Sequence, residues 1–427
     1  MSPTLLERLL IPQVRRPDQP VAPGLYSFDR AIDQQRTVRY HLRVDAGGGG
    51  LLVVNAIACA RLTASGVLIA RELLRGADED SAVRVLAQRF DDGSPPQQRQ
   101  DVAQIHKMLH ELAEPAGRYP VFNLADPSAG LPAARLIPPI EADLPLAAPN
   151  QIQPLLPRLW QAGIAHVTFR VPASPDPGWL VAAVQAAAGA GLICGVSGRA
   201  TDLASGSLLD ELIAAGLDHL TLAYASHQAA LHDSLYGAGD HALAEALLRR
   251  TEALALADVA QVPLIQATVD ELGATLDRLL ALGVVDVQFF AVAAPGAESD
   301  GAIPAAGMAQ MAADVETAAE QTEALFQWQP PVLRNPALAL AEQVRRGPRA
   351  SSDVAIRVEP DGTVIPPRGP RRVAGNLLRD AWPAIWQDAA FQAYRSRIER
   401  PTHCLTCPGL AICAADCPAE PSGWTQD

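Results

Sequence analysis

The sequence predicts an α/β protein centred on a partial (βα)6-type barrel, with a small α+β unit before it and a short cysteine-rich segment after it. Three observations lead there. Between about residues 151 and 345, short apolar strand-like runs alternate with helical stretches. A glycine-rich hairpin signal followed by three helical patterns fills most of the first 115 or so residues. Four of the six cysteines fall between Cys404 and Cys417.

Composition bounds the function class. The chain has 427 residues, 49% of them apolar, enough for buried cores in two or three domains. Its 47 acidic and 34 basic residues give a net charge of −13. Phosphate binding needs clustered positive charge, so nucleic acid is not expected as a partner. No window reaches the roughly 20 apolar residues of a membrane helix, and MSPTLLERLLIPQVRRPDQP lacks the apolar core of a signal peptide. A cytoplasmic chain with reduced thiols and no membrane association is therefore expected.

Residues 1–37 carry polar, proline-rich stretches and read as an N-terminal arm. Val38–Val44 (VRYHLRV) and Leu51–Ile57 (LLVVNAI) then alternate like strands around the turn sequence DAGGGG. Three helices are expected: Leu62–Leu74 with Thr63 as N-cap, Asp78–Phe90, and Asp101–Leu112. Strands followed by three helices make a winged-helix-like unit over 38–115. VRYHLRVD, LLVVNAIACARLTASGVLIARELLRG, EDSAVRVLAQRF and DVAQIHKMLHEL together resemble the PqqD-like fold, the peptide-recognition element of ribosomal-peptide maturation systems. That resemblance implies binding of a precursor's leader peptide by strand addition beside a helix. The alternative is a small domain that merely packs on its neighbours.

Residues 116–150, rich in Pro and Ala, read as a linker. Barrel strands are expected at His166–Val171, Leu192–Val196, His219–Ala225, Val262–Thr268, Val287–Ala293 and Leu325–Gln329, within a domain spanning 151–345. Gly163, Gly216 and Gly283 each stop a helix shortly before a strand. Such repeats imply parallel strands, with any chemistry at their C-terminal ends.

Residues 346–427 form the cysteine-rich domain. Cys404, Cys407, Cys413 and Cys417 are spaced C-x2-C-x5-C-x3-C, close enough to surround one metal centre. Zinc sites usually pair two short knuckles across a longer loop, whereas only one C-x2-C exists here. Cys407-Pro408 and Cys417-Pro418 fit iron–sulfur ligation, in which Cys-Pro is common. One [4Fe–4S] cluster is the favoured occupant, with zinc as the alternative. His403 beside Cys404 is the alternative ligand. Cys59 and Cys194 stand alone in apolar strand contexts and read as core residues.

A partial βα barrel followed by this run resembles a radical S-adenosylmethionine enzyme with a SPASM-type C-terminal extension. LWQAGIAHVTF, LLDELIAAGLDHLTLAYASHQAALHD and VAIRVEPDGTVIPPRGPRRVAGNLLRDAWPAIW carry the likeness, over about 150–420. In that family, a C-x3-C-x2-C motif after the first barrel strand holds a cluster whose open iron binds S-adenosylmethionine. Here the corresponding stretch, LIPPIEADLPLAAPNQIQP, has no cysteine. The following Gly-Gly-Glu-Pro motif is replaced by Phe169-Arg170-Val171-Pro172. The SPASM pattern is also incomplete, with Pro367 where Gly362-x4 leads to a cysteine in the family. The resemblance therefore implies a degenerate member with one fully ligated cluster, and S-adenosylmethionine is not expected to bind. The function expected is that of a peptide-binding chaperone, or a partner subunit of an active maturase, with precursor peptide and maturase as partners. An enzyme with altered chemistry at the barrel rim and a zinc-stapled scaffold are the alternatives.

Other polar groups carry weaker expectations. Arg170, Arg199 and His227 fall at strand ends and are candidates for a rim pocket. His227, His232 and His241, with Asp233 and Asp240 nearby, read either as a metal or acid–base cluster at the rim or as helix-capping and surface polar groups. Arg368, Arg371 and Arg372 are candidates for holding an acidic ligand, or form a solvated basic loop.

Overall fold

The computed structural model describes residues 20–31, 37–45, 47–54, 58–90, 94–113, 121–123, 139, 141–254, 256–296, 300–322, 324–352, 355–398 and 423–426. The four clustered cysteines and His403 lie outside them.

The N-terminal unit is an antiparallel sheet of β1 (Gly24–Ala31), β2 (Thr37–Val44), β3 (Gly50–Val54) and β4 (Ala58–Leu62), with β5 (Val121–Asn123) added parallel to β4. Helices Ala64–Leu74, Glu79–Arg89 and Pro95–Ala113 cover one face. Their starts follow from local chemistry. Thr63 Oγ1 accepts the Gly66 amide at 3.1 Å, and Asp78 Oδ1 accepts the Ser81 amide at 2.7 Å. The third helix begins six residues before the expected Asp101, because Pro95 and Pro96 are tolerated in a first turn that needs no donors.

Alternation sorts β2 and β3 cleanly. Leu42 and Leu52 face the helices, while His41, Leu51 and Val53 face the other way. That second face is not solvated. Leu51, Val53 and Cys59 pack on Ala165 and Ile193 at the N-terminal ends of barrel strands. Arg43 lies over the Trp160 ring at 4.0 Å and donates to the Trp160 carbonyl at 2.7 Å. The small sheet thus caps the bottom of the larger one.

Among the described residues, the larger sheet has twelve strands and is mostly parallel. Its centre runs in sequence order through β6 (Glu141–Pro145), β7 (His166–Arg170), β8 (Ile193–Gly198), β9 (His219–Ala223), β10 (Ala257–Leu264) and β11 (Asp286–Ala294). β12 (Ile303–Pro304), β13 (Leu325–Trp328) and β14 (Val332–Leu333) all pair parallel with the long β11. β15 (Ala355–Val358) pairs parallel with β6, and β16 (Thr363–Ile365) and β17 (Gly375–Asn376) continue antiparallel. Helices such as Pro177–Gly189, Leu208–Ala215 and Asp240–Ala253 make the crossovers. Gly163, Gly216 and Gly283 have φ of 84°, 105° and 90°, the left-handed stops expected of them.

Four expectations need correction. The stretch read as a linker, 116–150, contains β5 and β6. β6 escaped notice because it is five residues long and its inward positions are acidic. The arm contains β1, whose pairing with β2 is a long-range contact invisible to local pattern. Between the expected strand Leu51–Ile57 and the expected helix from Leu62, the fold inserts β4 (Ala58–Leu62), so that Leu62 ends a strand and the helix starts at Ala64. β10 starts at Ala257 and ends at Leu264, where Val262–Thr268 was expected, and Gln266–Val269 is a helical turn capped through Thr268.

At the C-terminal end, helices Trp382–Trp386 and Ala389–Ile398 join through rings of Trp382, Trp386 and Phe391. Thr425 bonds the Pro331 carbonyl at 2.7 Å and accepts the Leu333 amide at 2.9 Å, so the last described residues lie along β14. The two flanks of the cysteine run are therefore both held against the barrel.

Candidate functional site in the barrel lumen

Parallel strands buried on both faces usually read as continuous apolar runs. These do not. Outward positions such as Val167, Phe169, Val196, Leu220 and Leu222 form the core under the helices. Inward positions are polar: Glu141 and Asp143 from β6, His166, Thr168 and Arg170 from β7, Ser197 from β8, His219 and Thr221 from β9, Gln261 from β10 and Gln288 from β11. Gln329, Ser351 and one apolar residue, Val259 of β10, complete the lining. The space left between them is on the order of one water molecule.

At the lumen floor, His166 and His219 meet Nε2 to Nε2 at 2.5 Å, so one ring donates and the other accepts. Glu141 stands 3.7 Å from His166 Nδ1 and accepts the Thr168 hydroxyl at 2.7 Å. His219 Nδ1 is buried and has no hydrogen-bond partner among the described residues. Above this layer, Asp143 Oδ2 accepts both the backbone N–H and the hydroxyl of Ser351, at 2.5 and 2.9 Å. Three glutamines form a ladder beside it, Gln261 donating to Gln329 and Gln329 to Gln288, each at 2.9 Å.

Burial sets the charge states. It pushes the Glu141 carboxyl up to about 6, against the hydrogen bonds from Thr168 and Ser351. Asp143 is also pushed up to about 6, by burial first and then by the neighbouring Glu141 charge, with Arg170 and Ser351 opposing. Burial lowers His166 to about 3 and His219 well below the ordinary imidazole value. The lumen thus holds two neutral imidazoles and two carboxyls that exchange protons near neutrality. Such a set is equipped for general acid–base work.

The lumen floor continues into the N-terminal sheet. Asp218, next to His219 in sequence, accepts from His41 Nε2 at 2.8 Å and from the Cys194 amide at 2.8 Å. Arg39 donates to its backbone carbonyl. Burial would raise the Asp218 carboxyl, but these bonds and the nearby charges of His41 and Arg39 outweigh it and hold it below its usual value.

Of the three rim candidates, only Arg170 lines the lumen. Arg199 pairs with Asp202 at 2.7 and 3.0 Å instead, because it caps a short helix after β8 has ended. His227 faces Thr275, with Nδ1 3.4 Å from its hydroxyl. The grouping of Arg170, Arg199 and His227 into one pocket is therefore not what the fold produces. His232 is fully buried and bridges the Ala225 amide and Asp240, at 3.1 and 2.9 Å, which ties a helix start to the end of β9. Arg368 is buried, while Arg371 is exposed and paired with Glu359 at 3.2 Å, and Arg372 is exposed. Cys59 and Cys194 are buried core thiols; burial pushes Cys59 up to about 12, and burial with the nearby Asp218 charge holds Cys194 well above its ordinary range. Among the described residues, no three His, Cys, Asp or Glu side chains stand ready to hold a metal ion. No described helix is long and apolar enough to cross a membrane.

Sequence reasoning missed Glu141, Asp143, His166 and His219. Their signal was present: EADLP, HVTFR and HLTLA alternate polar and apolar residues in strands expected to be apolar throughout.

No family model and no curated protein matches the chain. Among solved structures, Streptococcus suis SuiB is similar over 93% of this chain and 99% of that one, at 12% identity and a TM-score of 0.48. SuiB bound to precursor peptide SuiA is similar over 90% of this chain and 97% of that one, at 11% identity and a TM-score of 0.47. Native anSMEcpe with bound AdoMet is similar over 68% of this chain and 92% of that one, at 8% identity and a TM-score of 0.47. Likeness at this level leaves family and activity to be argued from the residues themselves.

Proposed function

We propose that the chain is a catalytically degenerate relative of radical S-adenosylmethionine peptide-modifying enzymes, which binds a precursor peptide and presents it to, or pairs with, an active maturase. The observation that carries this is the connection after β6. Residues 146–155 form a short passage with a helical turn at Pro149–Ile152, and Leu146, Ile152 and Leu155 enter the core. It offers no thiol for a cluster, and the lumen beside it has room for about one water. The residues present do not fit S-adenosylmethionine on an open iron.

The C-terminal run fits a different group. Cys404, Cys407, Cys413 and Cys417 supply four thiolates, the donor set of one [4Fe–4S] cluster. A cluster ligated four times offers no iron to substrate and serves structure or electron transfer. In the N-terminal unit, both faces of the sheet are covered, one by helices and one by the barrel. A peptide strand would therefore add at a sheet edge. β1 is one end of that sheet, and β5, paired with β4 over three residues, is the other.

The test is anaerobic purification with iron, sulfide and zinc analysis, followed by incubation of the reduced protein with S-adenosylmethionine. About four irons per chain and no 5′-deoxyadenosine or methionine support the proposal, and formation of either product sinks it. A second possibility, altered chemistry in the barrel, is favoured by the carboxyl pair Glu141 and Asp143 titrating near neutrality. One zinc and no iron would point to the stapled-scaffold alternative.

A further inference from the structure

The helix Pro95–Ala113 of the N-terminal unit carries two histidines one turn apart near its C-terminal end, His106 and His110. Buried Ile105, Met108, Leu109 and Leu112 hold that helix in the core, so the pair rides on a fixed backbone beside its apolar stripe. The two rings stand 5.0 Å apart, centroid to centroid, at 42°. His106 Nδ1 lies 2.5 Å from Glu79 Oε1, in the first turn of the helix Glu79–Arg89, which packs alongside. His106 is half-buried, while Glu79 and His110 are exposed, so solutes reach the pair.

A cation can use this arrangement. The Glu79 carboxylate accepts the Nδ1 proton, which fixes the His106 tautomer and leaves the Nε2 lone pair as a ligand. A zinc ion with nitrogens at about 2.0–2.1 Å and near-tetrahedral angles sets two ligating rings roughly 5 Å apart, centroid to centroid. The observed separation therefore needs little adjustment to close on one ion. The surroundings also favour positive charge. The pair sits near a helix C-terminus, the negative end of its dipole. Glu79 and Asp80 open the neighbouring helix. Lys107, between the histidines in sequence, is engaged by Glu111 at 3.4 Å. An ion pair needs only Glu79 and His106; His110 adds the second donor that a chelate requires.

We propose that His106 and His110 chelate one divalent transition-metal ion of the imidazole-preferring class, with zinc as the probe, while Glu79 orients His106 and water fills the remaining positions. With two protein ligands, the site is open and exchangeable rather than a closed structural centre. Its occupancy ties the end of one helix to the start of the next and stiffens the N-terminal unit. The site is separate from the Cys404–Cys417 run and stands or falls independently of the function proposed above.

The test is calorimetric titration of zinc alone into the untagged full chain at neutral pH. Wild type is expected to take up one zinc more per chain than His110→Gln, since the cysteine run is the same in both. Glu79→Gln is expected to keep that zinc but to bind it about tenfold more weakly. Glu79 and His110 are exposed, so both variants should fold, and circular dichroism checks it. Amide exchange gives a second reading. Zinc should slow exchange around residues 79–81 and 106–110 in wild type and leave His110→Gln unchanged. Equal zinc uptake by wild type and His110→Gln, or equal affinity in Glu79→Gln, overturns the proposal and leaves a His–Glu ion pair on the helix surface. Zinc that binds without slowing exchange at those residues also overturns it, since the ion then sits elsewhere.

Discussion

His166 on β7 and His219 on β9 meet across the strand between them because that strand places Gly195 under the His219 ring. A Cβ at Gly195 would fall 2.1 Å from Cε1 and 2.2 Å from Nε2 of His219. Gly195→Ala is therefore expected to cost roughly 3 kcal/mol, the upper end of overpacking in a core. Urea unfolding measures it, and an unchanged midpoint would mean that the histidine pair is loosely held.

The carboxyls and imidazoles of the lumen pull pH-dependence in opposite directions. Glu141 and Asp143 rise to about 6 in the fold. A raised carboxyl contributes stability that is full below its unfolded value near 4 and lost as pH climbs through 6. His166 falls to about 3, so its contribution is present above its unfolded value near 6.5 and lost as pH drops toward 3. Asp143→Asn should therefore gain on wild type as pH rises from about 4 to about 6, by on the order of 2 kcal/mol. His166→Gln should gain on wild type in the opposite direction, as pH falls from 6.5. Thermal melts across pH check both, and parallel curves for all three proteins would contradict the assigned charge states.

Asp218 joins the two units through His41, Arg39 and the Cys194 amide. Asp218→Ala leaves a buried imidazole and an amide without their acceptor, a loss of about 2–3 kcal/mol. The effect should concentrate at the interface. Amide exchange in β2 is expected to rise well before exchange in β10 and β11, and uniform acceleration would argue against a local joint.

Cys404→Ser is expected to lower iron from about four per chain to near zero and to bleach the broad absorbance of the cluster. Retention of full iron would show that Cys404 is not a ligand. Because both flanks of the run are held by the barrel, the circular dichroism of the sheet should change little.

Much of the architecture was legible in the sequence because it is locally encoded. Thr63 and Asp78 start helices through their own side chains, and Gly163, Gly216 and Gly283 stop them through φ values that other residues resist. Strands that are mostly apolar on both faces, such as β11 with only Gln288 polar toward the lumen, read correctly to within a residue. The errors fall where a strand's character depends on what it faces. EADLP reads as linker until Glu141 and Asp143 are seen to share a lumen with His166 and Ser351. The polar half of VRYHLRV gives no sign that it docks on the barrel rather than facing water.

By itself, the sequence determined the order of most βα units, the helix starts at Thr63 and Asp78, the glycine stops at Gly163, Gly216 and Gly283, and the thiolate run at Cys404–Cys417. These follow from backbone preference, periodicity and spacing along the chain. Only the tertiary structure decided which polar residues converge, because curling the parallel sheet gathers alternate positions from strands far apart in sequence into one buried space. There burial sets their protonation, and residues 346–352 return across the mouth to bond Arg170 and Asp143.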